Sequence, residues 1–318
     1  MALQPTRRAR GANATATANY EATPGTVPAA GPWFSVPFVS HTLGEERPLI
    51  EDDTLGQGRE MGDPTADVAT NDGDIVVPVD VRNFGRWLKL LLGDPVTAEG
   101  QGDYVHTFTS GAAAIPSMSI EIGHPQVPSY SVHRGARANQ LNIPIARGGN
   151  FNATVSLICI GETPDVAASV AGANPASLER IRFPAASGGL TKGGQPLASV
   201  KAASLTYSNN LEKVDTIQPD GRIEDSDVGM SQASGSVTLN FADRAMLDAA
   251  TNGDPLDLTF GWKRGNFELL FRTPRVFVPK PKKPISGPNG IQIQFNWSAS
   301  GKGGHCLTAM LKNDVAAY

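Results

Sequence analysis

Cysteine is nearly absent: two of 318 residues, Cys159 and Cys306, with no CxxC or Cys/His spacing around either. A disulfide scaffold and a zinc site are therefore not encoded, and both residues read as buried, reduced thiols in strand-like runs. Charge is sparse as well, at 18% of residues, with 27 basic against 31 acidic and a net charge of −4. That balance argues against a general nucleic-acid binder, whose basic surface must replace phosphate counterions. No run approaches the roughly 18 uninterrupted apolar residues of a membrane-crossing helix. Arg7, Arg8 and Arg10 lie near the start, but no apolar stretch follows, so no secretory signal and synthesis in the cytoplasm are expected.

Chemistry is equally thin. The five histidines are His41, His106, His124, His133 and His305. His124 and His133 share a stretch with Pro125, Pro128 and Gly135 and read as loop or surface residues without ligand spacing. There is no Gly-x-Ser-x-Gly elbow. Gly301-Lys302-Gly303-Gly304 lacks the upstream Gly and the following Ser/Thr of a phosphate loop, and reads as a turn. Asp52-Asp53 and the acidic pair Asp225 and Asp227 have no EF-hand spacing and read as solvated charge. Aromatics at 7%, with scattered Trp, give no support to a carbohydrate-binding groove between paired carboxylates. No enzyme activity, metal or cofactor is expected. Lys280, Lys282 and Lys283, interleaved with Pro279, Pro281 and Pro284, form either a solvated linker or a basic strip that meets an acidic loop on a neighbour.

What is abundant is turn and strand signal. Gly 34 and Pro 24 punctuate runs of period two. Ile75, Val77, Val79 and Val81 alternate along one run; Met118, Ile120 and Ile122 alternate with Ser117, Ser119 and Glu121. Phe151, Ala153, Val155, Leu157 and Cys159 follow the same period, as do Ile291, Ile293, Phe295 and Trp297 against Gln292, Gln294 and Asn296. Each pattern predicts a strand with one packed and one wet face. Pro78 and Pro144 predict edge strands or bulges. Helices are few. Phe84, Trp87, Leu88, Leu91 and Leu92 form one helical stripe ended by Gly93, and a second helix is expected from an Asp243 N-cap to Gly253. Residues 163–194, rich in Ala, Gly, Ser and Pro, read as a connector with one short helix near 178–182.

An internal repeat organises these signals. Asp53-Thr54-Leu55 recurs as Asp215-Thr216-Ile217, Gly58-Arg59 as Gly221-Arg222, Gly73-Asp74-Ile75 as Gly235-Ser236-Val237, and Gly93-Asp94-Pro95 as Gly253-Asp254-Pro255. The displacements are 162, 163, 162 and 160. Each repeat carries a long polar loop, 45–72 and 213–234, with acidic clusters at Glu51, Asp52 and Asp53 and at Glu224, Asp225 and Asp227. Loops this long are usually functional, and matched pairs suggest arms that dock onto another subunit.

The run Ala18-Asn19-Tyr20-Glu21, Pro24-Gly25-Thr26-Val27-Pro28, Trp33 and Pro37-Phe38 leads into Leu55-Gly56-Gln57-Gly58-Arg59-Glu60, Asp63-Pro64 and Gly73-Asp74-Ile75-Val76-Val77-Pro78. With Trp87-Leu88-Lys89, Tyr207-Ser208-Asn209-Asn210-Leu211-Glu212 and Gly253-Asp254-Pro255, the chain resembles the major tail tube proteins of long-tailed, siphovirus-like bacteriophages, of the larger kind with a duplicated tube domain. The resemblance covers roughly 18–300, and its motifs are structural rather than catalytic. It implies a mainly β fold of two tandem β-sandwich domains, each with one flanking helix and a long projecting loop. The expected layout is an N-terminal arm (1–38), a first tube domain (39–162), a linker (163–198), a second tube domain (199–300) and a C-terminal tail (301–318). It also implies a virion protein, without cofactors, that assembles into rings stacked as a hollow tail tube. A duplicated chain is expected to form trimeric pseudo-sixfold rings, with hexameric rings as the alternative. Expected partners are other copies, a tape measure protein and terminator or tip proteins, with DNA passing through unbound. The residues expected at contacts between rings and subunits are Glu51, Asp52, Asp53, Gly58, Arg59, Asp215, Gly221, Arg222, Glu224, Asp225 and Asp227. Two other readings stay open: a neck, tail-tip or decoration protein forming discrete rings, and, with less support, a tail-associated carbohydrate-active enzyme.

Overall fold

Period-two alternation becomes sheet almost wherever the sequence shows it. The computed structural model describes residues 8–29, 31–56, 58–241, 245–283 and 290–318. Strands account for 46% of the chain and helices for 7%, so the fold is mainly β. Ile75, Val77, Val79 and Val81 are fully buried, and Ile293, Phe295 and Trp297 point inward while Gln292, Gln294 and Asn296 face out. The first helix, Phe84–Leu92, buries its predicted stripe and ends at Gly93, whose φ of +92° suits a residue without Cβ. The second, Ala245–Asn252, buries Met246, Leu247 and Ala250; the expected cap Asp243 lies outside the described residues.

One antiparallel ladder runs through both halves. Its order is Ser40–His41 with Gly44–Glu46, Thr70–Pro78, Asn152–Cys159, Ser129–Ala146, Val200–Ser208, Gln232–Asn240, Gln292–Ala299, then the end of Phe267–Phe277. The halves meet inside it, from Gln140 opposite Ser208 to Ala146 opposite Ala202. Opposed ladders cover its apolar face. In one, Thr15–Tyr20 pairs with Met118–His124, which pairs with the start of Ser129–Ala146. Gly189–Lys192, Leu256–Arg264, Phe267–Phe277, Thr308–Asn313 and Tyr104–Thr109 form the other. The 18-residue strand Ser129–Ala146 serves two ladders because a bulge between Ala138 and Gln140 turns it. The enclosed core is continuous across the halves, with Phe151 stacked on Trp262 at 4.4 Å between centroids.

The halves repeat in register as well as in element order. Ser40 opposite Val76 and Glu46 opposite Thr70 recur, 162 positions on, as Ala202 opposite Thr238 and Ser208 opposite Gln232. The ribbon pair Ile50 and Thr65 recurs as Glu212 and Asp227 at the same displacement. Val77 opposite Ala153 recurs as Leu239 opposite Ile293, and the bulge between Met118 and Ile120 recurs between Leu256 and Leu258. Gly73 and Gly235 are equivalent, and a Cβ at either would collide with the preceding strand: 2.7 Å from the Thr42 carbonyl oxygen, 2.0 Å from that of Ser204. Because the ribbons match in length, Gly221 corresponds to Arg59 rather than Gly58, a slip of one against the sequence alignment.

Three local expectations are corrected. Ser119 and Glu121, expected on a wet face, are buried, because 163–172 folds over that side: Glu121 accepts from Ser169 Oγ and Val170 N–H, both at 2.6 Å. No helix forms at 178–182; Arg182 instead bridges to Asp80, and Gly189–Lys192 joins the sheet. The Pro144 strand does carry a bulge, between Ala138 and Gln140, and Pro144 itself, opposite Ser204, lies beyond Asn142, the last residue paired to Asn152–Cys159, so its missing N–H breaks no bond on that side. His133 is not in a loop but buried in Ser129–Ala146. The stretches read as arm and tail also contribute strands, Thr15–Tyr20 and Thr308–Asn313.

Candidate assembly interface

Two small ribbons carry the expected contact residues. Leu49–Ile50 pairs with Thr65–Ala66, and Glu212–Val214 with Asp225–Asp227. In the first, Glu51, Asp53, Gly58 and Arg59 are exposed, beside exposed apolar Leu49, Ile50, Met61 and Leu55, the last 94% accessible. Asp52 closes the local turn, its Oδ1 accepting from the Thr54 hydroxyl at 2.6 Å and N–H at 3.0 Å; these bonds hold its carboxyl below the usual range. Projecting apolar side chains rimmed by carboxylates are what a protein contact surface presents.

The second ribbon behaves differently. Asp215, Glu224 and Asp227 are exposed, as is Ile217 at its tip, but Gly221, Arg222 and Asp225 turn onto the first half of the chain. Arg222 grips Glu45 with two bonds of 2.7 Å, Nε to Oε2 and Nη2 to Oε1. Its Nη2 also donates to the Glu162 carbonyl at 3.2 Å, and Nη1 to Asp220 at 3.1 Å. Glu45 and Glu162 lock reciprocally: each backbone N–H donates to the other's Oε2 at 2.9 Å. Burial alone would raise the Glu45 carboxyl, but Arg222 and the Glu162 N–H outweigh it and hold it below the usual carboxylate range. Arg137 holds Asp225 at 2.7 Å and the Ser226 carbonyl, Lys213 meets Asp72 at 2.5 Å, and the Ala69 N–H donates to the Gly221 carbonyl at 2.8 Å. Glu45, Arg137, Asp72 and Glu162 carry no sequence signal as partners, since all lie 60 or more positions from the residues they hold.

Two histidines are structural. His106 bonds Thr97 Oγ1 through Nδ1 and the Val315 carbonyl through Nε2, both at 2.8 Å, which satisfies the neutral ring; burial lowers its pKa. His133 bonds Asn71 Oδ1 at 3.1 Å, and its burial outweighs the nearby Glu162, so its pKa is also lowered. Among the described residues, no three His, Cys, Asp or Glu side chains converge as a metal site would require.

Projecting apolar ribbons rimmed by carboxylates define a mainly β protein with a surface of the kind that meets other chains. The family model for phage tail tube proteins matches residues 11–299, and the chain belongs to that family. A search among curated proteins returns no match.

Proposed function

We propose that this chain is the major tube subunit of a long-tailed phage, carrying two tube units in one polypeptide. Three copies would close a pseudo-sixfold ring, and rings would stack into the conduit through which DNA leaves the virion. The observation that carries this reading is the recurrence of strand register at a single displacement, with the two units already joined head to tail through the 140–146 and 202–208 ladder. Such a contact is heterologous, so it closes into a ring or continues as a filament. The exposed residues of both ribbons, Glu51, Asp53, Arg59, Asp215, Glu224 and Asp227, are the proposed contacts between rings, and Arg222 and Asp225 hold the second ribbon in place for that task. A net charge of −4 suits a passage that must not retain phosphate. Negative-stain microscopy of the purified protein tests this. Hollow rods are expected; discrete rings that never stack would favour a neck or tail-tip component, and persistent monomers at high concentration would refute both.

A further inference from the structure

One groove on the wet side of the long ladder carries charge of a single sign. It measures about 510 Å³ and is lined by Lys280, Lys282, Gln292, Gln294 and Asn296. Among the described residues, no carboxylate lines it. Lys201 stands at its lip, Nζ donating to Gln292 Oε1 at 3.0 Å. Lys280 and Lys282 are exposed and, among the described residues, have no ion-pair partner; Lys283 rests over the Phe241 ring at 5.9 Å. Both acceptor amides are already used, Gln292 Oε1 by Lys201 and Asn296 Oδ1 by Gln294 Nε2 at 3.1 Å. The groove therefore presents donors: the lysine ammoniums and the amide nitrogens of Gln292 and Asn296. A ligand rich in acceptors and poor in donors satisfies them. The fold does not require these lysines. At the displacement of 140 that relates Arg137 opposite Ile158 to Phe277 opposite Ser298, Lys280 and Lys282 correspond to Gln140 and Asn142. At the displacement of 162, Lys201 corresponds to Val39. We propose that this groove takes the phosphodiester backbone of DNA, in one contact per copy that reads no sequence.

The residue types select phosphate and sugar over bases. Lysine meets phosphate as a point charge, and amide side chains reach phosphate and sugar oxygens; neither contact carries sequence information. No aromatic ring lines the groove, so no base finds a stacking platform. The wall also disfavours the other acceptor-rich ligand, an acidic peptide laid along the edge as a strand. Pro279 and Pro281 lack N–H groups, so the carbonyls of such a strand would find no donors there. A nucleic-acid backbone brings no amides and loses nothing by their absence. Three lysines neutralise fewer phosphates than the roughly 6–10 contacted by a strong DNA binder, so the contact is weak at physiological salt. A weak contact is compatible with a net charge of −4 and slows a passing duplex without holding it. It goes beyond the tube-subunit reading and does not depend on it, since a single unassembled chain carries the whole groove.

Fluorescence anisotropy of a labelled duplex of about 20 base pairs, titrated with the unassembled full chain from about 20 to 150 mM NaCl, tests this. Release of counterions by three lysines gives a slope of log K against log salt of about −2.7. Lys280→Gln with Lys282→Gln should weaken binding about tenfold or more at low salt and bring the slope to about −0.9. Lys263→Gln with Lys302→Gln removes the same net charge from exposed sites outside the groove and should leave the slope unchanged. No binding at the lowest salt, or an equal loss from the second pair, would overturn the inference. Polyglutamate that displaces the duplex at equal charge concentration would assign the groove to an acidic protein segment and overturn the DNA reading. Rod formation is scored separately by microscopy. Rods from a chain that binds no DNA would overturn this contact and leave the tube subunit standing; DNA binding by a chain that never forms rods would do the reverse.

Discussion

Replacing Arg222 by Ala removes the clamp between the second ribbon and the first half of the chain. The pair is neither fully buried nor free: the Arg222 and Glu45 side chains retain 21% and 16% of their accessibility. Exposed ion pairs contribute about 0.2–1 kcal/mol, and breaking a buried one costs about 3–5 kcal/mol. A bidentate pair at intermediate burial belongs between these, at about 2 kcal/mol, because Glu45 keeps only the Glu162 N–H as a partner. At about 2 cal/mol/K per residue, a chain of 318 residues has an unfolding entropy near 0.7 kcal/mol/K, so Tm should fall by about 3 °C. The assay is thermal unfolding of unassembled protein at pH 7 for Arg222→Ala, Glu45→Ala and the double variant. A coupling energy of about 1.5 kcal/mol or more is expected; less than about 0.5 kcal/mol would refute the clamp. The Glu45 carboxyl is depressed, so its share of stability is present above about pH 4.3 and is lost as pH falls through the folded value.

Gly235→Ala should destabilise the fold by about 2–4 kcal/mol, because the Ser204 carbonyl would lie 2.0 Å from the new Cβ and cannot swing away as a side chain would; urea unfolding measures this, and a loss below about 0.5 kcal/mol would contradict the close approach. Trp87→Ala should cost about 3–5 kcal/mol, since Trp87 is 4% exposed on the buried face of the first helix; a loss under about 1 kcal/mol would show that the face is not packed as described. His106 and His133 titrate below the unfolded value near 6.5, so the unfolded chain takes up their protons first and stability should decline as pH drops below about 6.5. Thermal scans at pH 7.5 and 5.5 should show that decline, smaller in His106→Gln and His133→Gln; equal slopes in wild type and variants would exclude these residues as its source.

What the sequence determined by itself is local and periodic. Two-residue alternation placed the strands around Val77, Val155 and Phe295, the i, i+3, i+4 stripe placed Phe84–Leu92, and landmarks such as Gly73 and Gly235 marked the repeat. These signals survive in one dimension because backbone geometry and one-sided burial act on neighbours in the chain. The tertiary structure alone decided which residues a distant segment would cover. Glu121 and His133 carry polar patterns yet are buried, since 163–172 and Asn71 arrive from elsewhere. Arg222 and Asp225 look like free surface charge yet are consumed by Glu45 and Arg137, 177 and 88 positions away. Pairing across such separations depends on how ladders twist and close around a shared core, and no short window of residues encodes it.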